Sequence, residues 1–294
     1  MHPAPYQTVT LLTDYGSDDE FVGVLKSVIW SIAPDVRIVD LCHDIAPFDI
    51  RAAGLMLARS VSYLCPGVVV AVVDPGVGTA RRAVAVEVGG GQSVLVGPDN
   101  GLLAPAVAMV GGAGRTVELN SSDYQLEPLG PTFAGRDVFG PVAAHLCLGV
   151  ALEQLGPLVD PVGLMPGLLP IAHEDNGATV AEVLWTDRFG NLQLNVDPED
   201  LEPYGEQVAV VMSGSRRVAR RVRVFADLGT GEVGLIADAN GLAALVLNRA
   251  SAAHELHLGT GDQLRLEPLG EDTPGDGVSV GVQLGRRADH DGVR

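Results

Sequence analysis

Two aspartates in this chain stand where a strand ends, and one has a cation close behind it. The run Val68-Val69-Val70-Ala71-Val72-Val73 stops at Asp74, which opens a turn containing Pro75, Gly76 and Gly78, with Arg81 on its far side. Thr8-Val9-Thr10-Leu11-Leu12-Thr13 runs in the same way into Asp14, followed by Tyr15, Gly16, Ser17, Asp18 and Asp19. In open α/β sheets, ligands bind at the carboxyl ends of the strands. A carboxylate delivered there beside a guanidinium can orient a polar reactant. An acid delivered to that edge with a cation close behind it is a candidate site. The plainer alternative is that both aspartates only cap turns or helices. Two such ends in one sheet weigh against it.

The surrounding elements must bring those ends together. A continuous apolar run predicts a strand buried on both faces. After Asp14, Ser17 or Asp18 is expected to cap a helix whose apolar positions are Phe21, Val24, Leu25, Val28, Ile29 and Ile32, ended by Pro34. Val36 to Leu41 reads as a strand. Asp49 opens a helix with Ile50, Ala53, Leu57 and Val61 on one stripe. Val84–Val88 and Val94–Val96 pair across Gly89-Gly90-Gly91-Gln92, and Val138 to Leu152 reads as a further helix. Alternation of this kind predicts an α/β N-terminal domain with a mostly parallel sheet, over residues 1–170.

Beyond about Ala178 the pattern changes to short alternating segments: Thr179–Trp185, Leu192–Val196, Gln207–Met212, Arg216–Phe225, Val233–Asp238, Leu242–Leu247 and Gln263–Leu266. Their spacing predicts a smaller antiparallel β C-terminal domain over 178–268. The boundary is placed in the Gly- and Pro-rich stretch 161–177. The Gly- and Asp-rich end, 270–294, is expected to be a flexible tail.

The composition removes several function classes. Lys and Arg number 19 against 37 Asp and Glu, a formal net charge of -18, which repels nucleic acid and anionic membranes. The arginines of Arg216 to Val224 partly alternate with valines, so they read as the wet face of a strand. Gly76-Val77-Gly78 lacks the third glycine and following helix of a dinucleotide fingerprint. Cys42, Cys65 and Cys147 form no disulfide or metal pattern, which makes a reducing cytoplasm the expected compartment. The N-terminus carries no charged-then-apolar signal, and no apolar stretch reaches the ~20 residues of a membrane helix.

Seven segments in order resemble the S-adenosyl-L-methionine (SAM) hydrolases, or SAM hydroxide adenosyltransferases, a family related to the fluorinase and chlorinase enzymes. They are Leu12-Thr13-Asp14-Tyr15-Gly16, Val39-Asp40-Leu41-Cys42-His43-Asp44-Ile45, Val73-Asp74-Pro75-Gly76-Val77-Gly78-Thr79, Gly97-Pro98-Asp99-Asn100-Gly101-Leu102-Leu103, Thr132-Phe133-Ala134-Gly135-Arg136-Asp137, Asp187-Arg188-Phe189-Gly190-Asn191 and Asn248-Arg249. Each is weak alone; the ordered set spans nearly the whole chain. The resemblance implies displacement of methionine from C5′ of the ribose by water or hydroxide, giving adenosine and L-methionine with no metal or redox cofactor. It also implies a homotrimer with SAM bound between subunits.

The residues follow from the match. The family surrounds the attacking water with an Asp–Arg–His set, and Asp74 and Arg81 occupy the first two positions. Ala134 occupies the histidine's place in an otherwise intact motif. Loss of a general base costs 10²–10⁴-fold in rate, so weakened hydrolysis with SAM binding largely kept is expected. Asp14 matches the acid that accepts the ribose hydroxyls, and Phe48 the position of a halogenase tryptophan beside the ribose. Asp187 matches the acid facing the methionine amine. Phe189 and Asn191 match an aromatic and an amide near the adenine, and Leu247 and Asn248 lie where backbone groups meet the adenine edge. Phe189 as core, and Asp187 to Asn191 as a mere hairpin turn, remain open. His145 is expected to be packed or at the surface, and His43 carries no assigned step. A halogenase is less favoured, because it carries an insertion of about twenty residues after the strand that here ends near Val88 and a tyrosine where this chain has Asp74. A SAM- or adenosine-binding protein with little catalysis is the other alternative.

Overall fold

The computed structural model describes residues 6–269. The chain divides into two units, Met1–Ile171 and Ala172–Arg294. The segment 270–294, read from sequence as a tail, lies outside the described residues.

The first unit runs β1 (Thr8–Thr13), α1 (Phe21–Ile32), β2 (Arg37–Cys42), α2 (Ile50–Ser60), β3 (Val68–Val72), β4 (Ala83–Val88), β5 (Ser93–Pro98), α3 (Ala104–Met109), β6 (Thr116–Glu118) and α4 (Gly140–Cys147). Its sheet has the order β2-β1-β3-β5-β4-β6. β2, β1, β3 and β5 pair in parallel, and β4 runs against both β5 and β6. The sheet is therefore mostly parallel, as expected. Strand periodicity divides its side chains between two layers. Val68, Val70 and Val72 pack against Leu25 and Ile29 of α1 and Val142 and Ala143 of α4. Val69, Ala71 and Val73 pack against Ala53 and Leu57 of α2 and Ala106 of α3. With both faces covered, the β3 run has no polar face to show. The order β2-β1-β3 with parallel pairing brings three strand ends side by side on one edge of the sheet.

Two helix boundaries differ from expectation. α1 starts at Phe21 rather than after Ser17 or Asp18; Glu20 precedes it without a side-chain cap, and Asp19 Oδ1 accepts the Phe21 N–H at 3.2 Å. The helix expected over Val138 to Leu152 begins as a π-helical turn at Gly135–Phe139, continues as α4, and ends by Leu148 because Gly149 is left-handed (φ 89°). The Asp49 cap of α2 is present: its side chain accepts the Ala52 N–H at 2.8 Å.

The second unit runs β7 (His173–Asp175), β8 (Ala178–Thr186), β9 (Leu192–Leu194), β10 (Gln207–Met212), β11 (Ser215–Arg221), β12 (Val233–Ala237), β13 (Ala243–Val246), α5 (Ala252–Leu256) and β14 (Gln263–Pro268). The order β14-β10-β11-β12-β13-β9-β8-β7, closed by pairing of β14 with β8, makes an antiparallel barrel with one parallel pair, β11–β12. Its interior holds Val183, Leu192, Leu194, Val208, Val210, Leu235, Leu245, Leu264 and Leu266. The segment expected as one strand from Arg216 to Phe225 ends at Arg221, and Phe225–Asp227 is a 3-10 turn. No helix of the described residues is long and apolar enough to cross a membrane.

Candidate functional site

At the carboxyl edge of the first sheet, Asp14, Tyr15, Phe21, Phe48, Val72, Asp74, Val77, Thr132, Phe133 and Ala134 line a cleft of about 160 Å³. Asp74 leaves the end of β3 at a tight turn whose Val77 N–H returns to the Asp74 carbonyl. This turn carries Arg81 back over the carboxylate. Arg81 Nε donates to both Asp74 oxygens at 2.9 Å, and Nη2 donates to Oδ2 as well. The Asp74 side chain is 5% exposed, so the carboxylate is nearly out of water and its charge is met by the guanidinium fork. The guanidinium also lies 5.4 Å from the centroid of the Phe139 ring.

Asp14 leaves the adjacent strand β1. Its Oδ2 accepts the Phe48 N–H at 3.0 Å. Phe48 has a positive φ of 69°, rare for an aromatic residue, and the residue is 71% exposed. A strained backbone that presents an uncovered ring at the mouth of a cleft fits a ligand contact better than a packing role.

Ala134 follows Phe133 on the opposite wall and leads into the π-helical turn, an irregularity frequent at functional sites. Tyr15, Phe21 and Phe133 form an aromatic cluster with centroids 4.7–5.6 Å apart. Tyr15 lies so close to Gly135 that a Cβ there would overlap its hydroxyl. Burial, reinforced by the negative charges of Asp14 and Asp74, raises the Tyr15 hydroxyl above its ordinary range, so it stays a protonated donor. Sequence reasoning gave Tyr15 no role, although it stands next to Asp14 in a matching segment. Phe21 was read only as an apolar position of α1.

The second unit carries a separate groove of about 550 Å³, lined by Phe189, Asn191, Phe225, Leu247, Asn248, Arg249, Ala250 and Ser251. Four residues singled out from the sequence meet in it: Phe189, Asn191, Leu247 and Asn248. Phe189 is 78% exposed, which removes the reading of it as core. Asp187 does not line the groove. Its Oδ1 accepts the Phe189 and Asn191 N–H groups at 2.8 Å each, and its Oδ2 accepts Asn191 Nδ2 at 2.7 Å. Its carboxylate therefore builds the turn that presents Phe189. Gly190, at φ 81°, lies against Ser251 so closely that a side chain there would collide with the serine. Asn248 Nδ2 donates to the Leu228 carbonyl at 3.1 Å. Phe225, Arg249 and Ser251 were not singled out from sequence as site residues.

Elsewhere, His145 packs edge-on against Tyr124 with centroids 5.1 Å apart, and burial lowers it from its ordinary value. Burial pushes the Cys147 thiol up to about 12. No group of three or more His, Cys, Asp or Glu among the described residues is placed to hold a metal.

Comparison with known proteins identifies the family. Residues 9–156 match the family model for the SAM hydroxide adenosyltransferase N-terminal domain, and residues 181–265 match that for the C-terminal domain. A Salinispora tropica protein named (R)-S-adenosyl-L-methionine hydrolase is 41% identical over 90% of this chain and 99% of its own length. A fluorinase of Actinopolyspora mzabensis is 26% identical over 88% of this chain and 96% of its own. The crystal structure of an uncharacterized conserved protein from Thermotoga maritima superposes with a TM-score of 0.81 at 30% identity, covering 88% of this chain and 99% of that one. Both domains and nearly the full length are matched in order: the chain belongs to the SAM hydroxide adenosyltransferase family.

Proposed function

We propose that this protein hydrolyses S-adenosyl-L-methionine to adenosine and L-methionine. The observation that carries the reading is the Asp74–Arg81 fork, nearly dry, in one cleft with Asp14, Phe48 and Ala134. It occurs on a chain whose relatives are named SAM hydrolases. Water or hydroxide attacks C5′ in line with the bond to sulfur. The C5′–S electron pair leaves with methionine as a neutral thioether, and the proton of water passes to solvent. A sulfonium needs no acid to leave, so the protein's task is to place the nucleophile, worth roughly 7–11 kcal/mol at the limit. Asp74 orients that water and Arg81 holds Asp74. Asp14 receives the ribose hydroxyls, and the Phe189–Asn191 and Leu247–Asn248 groove receives adenine. Asp187 is the acid expected at the methionine amine.

Three features expected from the resemblance complete the proposal: no cofactor, a homotrimer with sites between subunits, and a cytoplasmic location. β4 and β5 are joined directly through Gly89–Gln92, without the insertion expected of a halogenase, which favours water over halide.

Ala134 sets the rate. With a methyl group where the family places an imidazole, hydrolysis is expected to be slow while SAM still binds. Purified protein incubated with SAM should release adenosine and methionine in equal amounts, and Ala134→His should release them faster, by about 10²-fold or more. Silence from both chains would sink hydrolysis. Binding of SAM by calorimetry without product in either chain would establish instead the second reading, a SAM-binding protein, which Ala134 specifically favours.

A further inference from the structure

His43 lies one residue beyond β2, in a matching segment, yet the proposed chemistry gives it no part. Its ring joins two groups. Nε2 lies 3.0 Å from Asp40 Oδ1, and Nδ1 lies 2.8 Å from Thr13 Oγ1. Asp40 Oδ2 also accepts from Lys26 Nζ of α1 at 2.6 Å. Burial alone would raise Asp40, but the hydrogen bonds from Lys26 and His43 outweigh it and hold the carboxyl below its ordinary value. An ionised carboxylate only accepts, so Nε2 carries the proton. In the neutral ring Nδ1 is then the acceptor, and the Thr13 hydroxyl donates to it. The same Thr13 oxygen accepts the Tyr15 N–H at 3.2 Å. Thr13 is fully buried, so neither partner is exchanged cheaply for water. The Gly16 N–H donates to the His43 carbonyl at 2.8 Å.

We infer that His43 is a positioning residue for the cleft: held by Asp40 and Lys26, it fixes the Asp14-Tyr15-Gly16 turn through the Thr13 hydroxyl. The chain of bonds runs Lys26, Asp40, His43, Thr13, Tyr15 and crosses α1, β2 and β1. It ends on Tyr15, which carries the cleft's buried hydroxyl and directly follows Asp14, the cleft's acid. The inference rests on the reading of this cleft as the ribose end of a SAM site.

The two ring nitrogens can be separated by substitution. Asparagine keeps an acceptor near Nδ1 and drops the Asp40 bond; glutamine keeps a donor near Nε2 and drops the Thr13 bond. Calorimetric titration of the full chain with SAM should show Kd raised about tenfold in His43→Gln and in Thr13→Val, the scale of one lost bond in a buried network. His43→Asn, which keeps the Thr13 bond and loses only the Asp40 hold, should raise it less, by about threefold, and the His43→Gln/Thr13→Val pair should be no worse than either alone. In an Ala134→His background the same changes should move KM more than kcat. Exchange of the Tyr15 amide with deuterium should quicken about tenfold in His43→Gln and Thr13→Val only. SAM affinity and amide exchange unchanged in both, or all three variants impaired alike, would overturn the inference. Should the histidine variants fail to fold, Asp40→Ala decides: it frees the ring but keeps the Thr13 hydroxyl that accepts the Tyr15 N–H, so Tyr15 exchange quickened about threefold supports the role and unchanged exchange overturns it. If the parent binds no SAM, the SAM reading fails by itself, and Tyr15 exchange alone judges the positioning role.

Discussion

At the scale of residues, the cleft depends on one ion pair more than on any packing contact. Asp74 is nearly buried and its charge is met by Arg81. Removing one member of such a pair strands the other in low dielectric. Arg81→Ala is therefore expected to lower unfolding stability by about 3–5 kcal/mol in urea titrations and to abolish product formation. Adding Asp74→Asn should restore much of the stability but none of the activity. Arg81→Lys should recover charge without the planar fork, and so regain less than half of the lost stability. A wild-type denaturation midpoint for Arg81→Ala would show that the pair is not structural. The acid and the arginine were legible in the sequence because both follow an unbroken apolar strand. The roles of Tyr15 and His43 were not, since Tyr15's depends on its burial against Phe21, Phe133 and Gly135 and His43's on the Thr13 hydroxyl 2.8 Å away on the adjacent strand.

Elements decide how those residues meet, and here the sequence was informative unevenly. The β-branched run Val68 to Val73 and the Asp49 cap signal are local, and both elements formed where expected. α3, β6, β7 and α5 are three to six residues long, too short for periodicity to register. Barrel closure by β14 and β8 joins segments far apart in sequence, which no local pattern encodes. Two expectations follow. Asp49 caps α2 directly after the strained Phe48, so Asp49→Ala should cost about 1 kcal/mol and lower Tm by a few degrees; an unchanged Tm would mean the cap is replaced by solvent. In the barrel, Arg220 Nε donates to Glu232 Oε1 at 2.6 Å beside the parallel β11–β12 pair. The Arg220 bond, then the Gly229 N–H, bring Glu232 down to about 2 from 4.5. A folded value below the unfolded one stabilises above about pH 4.5, and that contribution is lost as pH falls toward 2. Glu232→Gln should thus be less stable than the parent at neutral pH, with the gap closing across that window. A gap constant from pH 7 to 2 would assign the effect to packing.

For the whole molecule, the question is what covers the apolar side chains that one chain leaves in water. Val162, Leu168 and Ile171 are 91%, 80% and 84% exposed near the end of the first unit, and Leu129 is exposed as well. Single exposed leucines are ordinary. Three such residues within ten positions are a candidate interaction surface, and a net charge of -18 would otherwise keep copies apart. The proposed homotrimer would supply that cover. Sedimentation at micromolar concentration should give three times the 30.6 kDa chain mass. Leu168→Asp and Ile171→Asp together should shift the population toward single chains, because a buried carboxylate is costly without a partner. If sites lie between subunits, SAM affinity must fall in the same variant and recover as protein concentration rises. A monomer that binds SAM with undiminished affinity would place both halves of the site within one chain and remove the trimer from the proposal.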